Sequence, residues 1–348
     1  MSSTITLPEL GWRPDDAADA SEQFDSPVRP ARVMRQGRGA WHVHDGDREL
    51  LARARSRRLD PTPATGDWVL ISGDPGDDCL VEAVLPRRTV LRRAEAGGRS
   101  EEQVIAANVD LVAICAPVDA VNPRRLEREL VAVWESGATP VVVLTKADLA
   151  DDPLSVTSGL ETVCVGVSVH VLSSMSGEGL AALTSEIAPG TTVALIGPSG
   201  VGKSTLINAL VGEDVLATAA IRADGKGRHT TTSRHLVPLP SGGLLLDTPG
   251  MREFAPWAGG EALAGTFADI ELLASGCRFN DCAHVSEPGC AVLIAAAGDD
   301  AVGKRLDSWR ALQRELAWLE RRHDARLQAE ERRRWTNLSR AMRGRIRP

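Results

Sequence analysis

The stretch that decides the fold is "VALIGPSGVGKSTLINAL", Val193–Leu210. An apolar run reads as a buried strand, G-x-x-x-x-G-K-S extends from Gly197 to Ser204, and helical apolar spacing follows. Strand, glycine-rich turn and helix in that order are the context a phosphate-binding loop requires. Gly197, Pro198, Ser199, Gly200, Val201 and Gly202 form the loop. Its glycines let backbone N–H groups turn towards a β-phosphate, and the helix N-terminus adds partial positive charge. Lys203 is placed to reach the β- and γ-phosphates, Ser204 to set its hydroxyl on Mg²⁺, and Thr205 to contact the α-phosphate.

Downstream, "LLLDTPG" ends an apolar strand at Asp247, which can hold Mg²⁺ through water, and supplies the Gly250 N–H for a γ-phosphate. D-x-x-G alone is common; behind a phosphate loop it carries weight. Between the two lies the polar segment "RADGKGRHTTTSRH", in which one of Thr230, Thr231 and Thr232 is expected to complete the Mg²⁺ shell.

Upstream, the apolar run "PVVVL" leads into "TKAD", Thr145, Lys146, Ala147 and Asp148. A carboxylate at Asp148 can accept from guanine N1–H and the 2-amino group, a pattern adenine cannot offer, while Lys146 can lie along base and loop. "LSSMSGEGL" follows, with Ser173 and Ser174 in the position of a loop whose backbone backs the guanine O6. The order is therefore base reader, base-backing loop, phosphate loop, then the two γ-phosphate-sensing segments, which is the order of a circularly permuted GTPase. Permutation costs little where the old termini lie close together on the surface. About 27 residues separate Gly250 from Cys277, so the nucleotide-sensing segment now feeds whatever domain follows.

The rest of the chain fits a multidomain α/β protein, and 348 residues suit two or three cores. Residues 1–28 are acidic, without sustained period, and read as a flexible extension. Over 29–90, "ARVMRQ", "GAWHVH", "RELLARA", "GDWVLIS" and "CLVEAVL" are short strand-like runs between turn formers. Five such strands suit an N-terminal β-barrel of OB type, though an SH3-like barrel reads similarly. After the polar connector "RRAEAGGRSEEQ", residues 91–268 alternate strands ("VDLVAICA", "PVVVLT", "SVHVLS", "TVALIG", "GLLLD") with helices ("PRRLERELVAVWESG", "GEGLAALTSEI"), as a mainly parallel sheet covered by helices does. Residues 269–348 carry a Cys/His knot and a charged helical tail, in which Leu306, Trp309, Leu312, Leu316 and Leu319 recur at the spacing of a buried stripe.

In the knot, Cys277, Cys282, His284 and Cys290 are spaced C-x4-C-x-H-x5-C; three thiolates and an imidazole suit one structural, tetrahedral Zn²⁺, with a disulfide or unligated core cysteines as the alternatives. Cys79, Cys115 and Cys164 lie singly in apolar runs and read as small hydrophobes. Net charge is −7, yet residues 301–348 hold fourteen basic against six acidic residues, so a basic tail follows an acidic body. Such a tail suits a polyanion or a solvated helix face, and Arg332, Arg333 and Arg334 beside Trp335 could grip phosphate and stack on a base. No apolar run has the length of a membrane span, and the N-terminus lacks a secretory signal, so a cytoplasmic location is expected. No heptad seam is sustained, which favours a monomer.

In the order "EQVIAANVD", "TKAD", "GPSGVGKSTL", "GRHTTT", "DTPGMREF", "CRFNDCAHVSEPGCAV", the chain from about 30 to 300 closely resembles the ribosome small subunit-dependent GTPases known as RsgA or YjeQ. The resemblance implies an OB domain, a central circularly permuted P-loop GTPase domain and a C-terminal zinc domain. It also implies binding to the small ribosomal subunit and its rRNA late in maturation, with GTP hydrolysed to GDP. Where many GTPases place a water-orienting Gln after D-x-x-G, Met251 stands here, so His229 in "GRHTTT" is the candidate catalytic group beside Lys203. Thr145 stands where the family often has Asn; lacking the amide that approaches the base and braces the phosphate loop, it is expected to lose some guanine affinity. The competing readings are a nucleotide-gated RNA-binding switch with incidental hydrolysis, and a P-loop ATPase or small-molecule kinase.

Overall fold

The computed structural model describes residues 5–13, 24, 27–37, 39–55, 59–73, 79–94, 102–212, 234–247 and 260–319. The chain divides into two compact units, Met1–Arg93 with Val104–Phe254, and Ala94–Gln103 with Ala255–Pro348.

In the first unit, β1 (Arg29–Gln36), β2 (Trp41–His44), β3 (Glu49–Ala54), β4 (Trp68–Ser72) and β5 (Cys79–Val84) form a closed barrel. Pairings run β1–β2–β3–β5–β4 and back to β1, with β3 and β5 parallel and the others antiparallel. That closure is OB-type and decides between the two barrels the sequence allows. Alternation fills the interior with Ala31, Val33, Trp41, Val43, Ala52, Val69, Ile71, Cys79 and Val81, because successive side chains of a strand point to opposite faces.

The barrel does not stand apart as residues 29–90 suggest. Its β1 pairs antiparallel with β12 (His235–Pro238), so one sheet runs on through β13 (Leu244–Asp247), β11 (Thr192–Ile196), β8 (Leu111–Pro117), β9 (Thr139–Thr145) and β10 (Ser168–Val171). From β13 to β10 every pairing is parallel. Val112, Ile114, Val142, Leu144, Ala194 and Ile196 face a core completed by Leu126, Leu130 and Val133 of helix α1 (Pro123–Glu135). Alternate residues Ala113, Cys115, Val141, Val143, Val193 and Leu195 face a core completed by Leu183 of α3 (Leu180–Glu186) and Leu206 and Val211 of α4 (Lys203–Val211). Both faces are covered, as a doubly wound parallel sheet requires. Helix α2 (Pro153–Ser158) and the two-stranded β6 (Val90–Ala94) and β7 (Glu102–Ala107) are elements the sequence did not announce.

The flexible extension expected over 1–28 needs correction where it is described. Leu10 is fully buried, Trp12 packs edge-on against Trp68 at 4.7 Å between ring centroids, and the Gly11 N–H donates to Pro8 O at 2.9 Å. Two large apolar side chains anchor a segment whose composition alone resembles a tail.

The second unit contains α5 (Gly260–Thr266), α6 (Ala268–Ala274), α7 (Ala291–Gly298) and a helix, α8, over 300–319. Leu306, Trp309, Leu312 and Leu316 are buried, as their spacing indicates, with Leu319 partly so. Arg305 of α8 reaches Asp269 at 2.6 Å and stacks 4.5 Å from the Phe267 ring centroid, locking α8 onto the α5–α6 corner. Among the described residues, no helix is long and apolar enough to cross a membrane.

Candidate nucleotide site and metal cluster

The phosphate loop leaves the C-terminal end of β11, which lies between β8 and β13. This is the crevice outside the strand ends where open α/β sheets bind ligands. Gly197 has φ +138°, and a Cβ there would overlap the Cys115 carbonyl oxygen of the neighbouring strand. Only glycine fits. Lys203 opens α4 and turns its ammonium back over the loop, donating to Gly197 O at 2.6 Å and Pro198 O at 2.7 Å. Ser204 and Thr205, also in the first turn of α4, are exposed. Burial pushes the Cys115 thiol up to about 12, so it packs as a neutral hydrophobe under the loop.

The Thr145–Asp148 segment, expected from the sequence to read a base, lies beside this loop. Thr145 ends β9, and its hydroxyl donates to the Val201 carbonyl at 2.6 Å. That bond overturns the bracing half of the expectation for this position: the threonine hydroxyl replaces the amide as a brace for the phosphate loop. Lys146 takes a left-handed conformation, φ +60°, which turns the chain sharply into Ala147 and the exposed Asp148. The Ala147 N–H donates to Leu172 O at 3.1 Å, tying this turn to the loop after β10. There Ser173 is buried and its Oγ accepts from the Met175 and Ser176 N–H groups at 3.3 Å each, while Ser174 is half-buried beside it. Thr145–Asp148, Ser173–Ser174 and Gly197–Thr205 thus converge at one end of the sheet. Asp247 ends β13, next to β11 with Leu246 opposite Ala194. Gly250, Met251, His229 and Thr230–Thr232 lie outside the described residues.

In the second unit, Sγ of Cys277, Cys282 and Cys290 and one ring nitrogen of His284 lie within 4.8 Å of one another, an arrangement that could hold a metal ion. Cys277 Sγ is 3.8 Å from Cys290 Sγ and 3.6 Å from His284 Nδ1, and His284 Nδ1 is 3.3 Å from Cys290 Sγ. A tetrahedron with metal–sulfur bonds of about 2.3 Å has sulfur–sulfur edges of about 3.8 Å, which the Cys277–Cys290 separation matches. Burial opposes ionisation of Cys277, but hydrogen bonds from the Val292 and Ala291 N–H groups outweigh it and lower the thiol's pKa. Burial pushes the Cys282 thiol up to about 11. Sequence reasoning missed Glu287, whose carboxylate accepts from the backbone N–H groups of Ala283, Val285 and Ser286 at 3.1, 2.7 and 3.0 Å. It fixes the turn that presents His284, itself left-handed at φ +55°. Hydrogen bonds from the backbone of Glu287 itself, then from Val285 and Ser286, hold its carboxyl at about 2.

The model of the RsgA GTPase family matches residues 84–257. A small ribosomal subunit biogenesis GTPase RsgA from Streptomyces avermitilis is 45% identical over 343 residues, covering 96% of this chain and 92% of that protein. The chain belongs to the RsgA GTPase family. An RsgA 2 protein from Lactiplantibacillus plantarum is 49% identical over 258 residues, 74% of this chain and 72% of its own. Among solved structures, YjeQ from Thermotoga maritima superposes with a TM-score of 0.65 at 25% identity, covering 84% of this chain and 99% of that one. YloQ, described as a circularly permuted GTPase, gives 0.64 at 25% identity, with 84% and 96% covered. The likeness to these structures accounts for the permuted order of the sheet.

Proposed function

We propose that this RsgA-family GTPase binds GTP between the "TKAD" turn and the phosphate loop, and hydrolyses it when docked on the small ribosomal subunit. It acts in late maturation of that subunit and then dissociates. The observation that carries the reading is the Thr145–Val201 hydrogen bond of 2.6 Å, which joins two segments written in swapped order into one pocket. The relatives' names as small ribosomal subunit biogenesis GTPases support the partner.

In this reading Asp148 accepts from guanine N1–H and the 2-amino group, Ser173 and Ser174 back the O6 edge, and Gly197–Gly202 present N–H groups to the phosphates. Lys203 exchanges its two loop carbonyls for phosphate oxygens. Ser204 and Asp247 would hold Mg²⁺, which neutralises phosphate charge, with one of Thr230–Thr232 and the Gly250 N–H reading the γ-phosphate. Met251 cannot hold water in line, so His229 takes that role and basal hydrolysis is slow; a missing stabilising group is worth ~10³ to 10⁵ in rate. The Cys277, Cys282, His284 and Cys290 cluster suits structural Zn²⁺, since four protein donors leave no position for water. The protein works as a cytoplasmic monomer, with residues 29–90 and 269–348 contacting rRNA.

Turnover of GTP with and without purified small subunits tests this; equal rates would reject it. Competition binding separates the ATPase reading: GTP should displace a fluorescent GDP and ATP should not. Asp148→Asn is expected to weaken guanine nucleotide binding by about 2 kcal/mol, or ~30-fold, while leaving ATP as poor a ligand as before. Thr145→Val keeps the volume but removes the brace, and should weaken GTP and GDP equally, by about 1 kcal/mol or ~5-fold. Titration with both nucleotides checks it.

A further inference from the structure

Where barrel and parallel sheet meet, Arg35 of β1 stands opposite His235 of β12, and His235 stands opposite Asp247 of β13. One row of the sheet therefore crosses from the barrel to the strand that ends at Asp247. The barrel also holds the entry of β12: Thr65 Oγ1 donates to the Arg234 carbonyl at 3.4 Å. Residue 234 directly follows the segment that carries His229 and the three threonines.

On the barrel side the row continues through side chains. An Arg35 guanidinium N–H lies 2.8 Å from His42 Nε2, and His42 Nδ1 lies 3.0 Å from Glu49 Oε1. A neutral imidazole protonated on Nδ1 satisfies both contacts at once, accepting from Arg35 and donating to Glu49. Glu49, Leu51 and Arg53 occupy the exposed face of β3, and the Glu49 side chain is 51% exposed. Residues 29–93 hold thirteen arginines against nine acidic residues, in a chain that is acidic overall. As a stabilising device an exposed chain of this kind contributes little, about 0–1 kcal/mol per pair. Its value lies in its two ends, one on the face an OB barrel offers to nucleic acid and one against the strand from Asp247's partner.

We propose that Glu49–His42–Arg35 is a release catch by which an RNA phosphate backbone on the β1–β3 face of the barrel acts on β12 and β13. Phosphate oxygens compete with His42 Nε2 for the Arg35 guanidinium, and repel Glu49. Arg35 then has two discrete partners, His42 or phosphate, and the choice alters the side chain packed beside His235. This supplies the two-state element that coupling between separate sites requires. The inference rests on the ribosomal reading for its partner, but its joint is visible without the subunit.

The test uses full-length Arg35→Ala and His42→Leu. Both residues lie on barrel strands, outside the Thr145–Asp148, Ser173–Ser174 and Gly197–Thr205 segments, so basal turnover and GTP affinity should match the native protein. Stimulation by small subunits should fall ~10-fold, within the range of ordinary coupling energies, while subunit affinity in the presence of a non-hydrolysable GTP analogue is retained. Arg35→Lys, which keeps one donor for His42, should recover part of the stimulation. The catch joins two structural states that nucleotide should populate differently, so amide exchange over 29–54 should differ between GTP-analogue and GDP complexes of the native protein without subunits, and Arg35→Ala should abolish the difference. Full stimulation of both variants, or barrel exchange indifferent to nucleotide in the native protein, overturns the proposal. A native protein that subunits fail to stimulate rejects the ribosomal reading instead, and the exchange comparison still decides the catch.

Discussion

Chelating the zinc proposed for the Cys277–Cys290 cluster is expected to unfold that region of the full-length protein and to loosen α8, while guanine nucleotide affinity stays within about twofold. The loop from Cys277 to Cys290 contains no regular element and is held by its four donors, the Glu287 carboxylate and the Cys290 cap on α7, whose Sγ accepts the Leu293 N–H. His284 is the link to the helix: its ring packs 5.5 Å from Trp309, and its carbonyl accepts from Arg310. Structural zinc contributes about 10–16 kcal/mol of apparent binding energy, comparable with the whole stability of a typical domain, about 5–15 kcal/mol. The nucleotide-site residues belong to the other compact unit, so their binding should survive. Elemental analysis should give one zinc per chain. Circular dichroism and limited proteolysis should show loss of helix and new cleavage in the second unit after chelation, and Cys290→Ala should reproduce both. Glu287→Ala should lower metal affinity ~10-fold, the usual cost of losing a group that orients ligands. A purified chain free of metal yet fully protected from protease would end the zinc assignment.

Much of the fold was legible because its signals are local. The barrel strands announce themselves by alternation, as in Trp41 and Val43 inward with His42 and His44 outward. The parallel strands appear as unbroken apolar runs such as "PVVVL", because both faces are buried. The turns at Gly197–Ser204 and Thr145–Asp148 were readable because each is a short motif of fixed spacing that directly follows an apolar strand. What escaped depends on distant partners. Strand β12 is four residues, "HLVP", ends in proline and has no alternation to detect, yet it joins barrel to sheet. β6 and β7 were hidden inside a connector whose charge suggests coil, although Val90 and Leu91 begin one strand and Val104 and Ile105 lie in the other. The Thr145 brace could not be foreseen from residue type, since its acceptor is a backbone carbonyl 56 positions away. Likewise nothing around Glu287 marks it as the residue that collects three amides.

Arg32→Met is expected to be the most destabilising single substitution in the barrel, by about 3–5 kcal/mol, because several buried oxygens lose their donor at once. The side chain is fully buried, and its guanidinium is distributed over four segments. Nε donates to Gly66 O at 3.1 Å, one terminal nitrogen to Asn108 O at 2.8 Å and Thr192 Oγ1 at 3.0 Å, and the other to Leu10 O. Its carbon lies 5.3 Å from the Trp68 ring centroid. Thr192 is the first residue of β11, so the barrel is bolted to the base of the strand that carries the phosphate loop at its other end. A methionine fills the space but leaves these oxygens without this donor, at about 1–3 kcal/mol for each buried acceptor that finds no substitute. Lysine is no rescue, because a single ammonium cannot span acceptors arranged for a planar fork. Arg48→Ala is the control: it removes an exposed arginine from the β2–β3 turn of the same barrel and should cost under about 1 kcal/mol. Urea unfolding followed by tryptophan fluorescence measures both, and for a unit of this size about 4 kcal/mol corresponds to a fall in Tm of roughly 10 °C. Equal midpoints for native and Arg32→Met proteins would mean that the barrel and the phosphate-loop strand are held together by their strand pairing alone, with the buried cation contributing nothing to the joint.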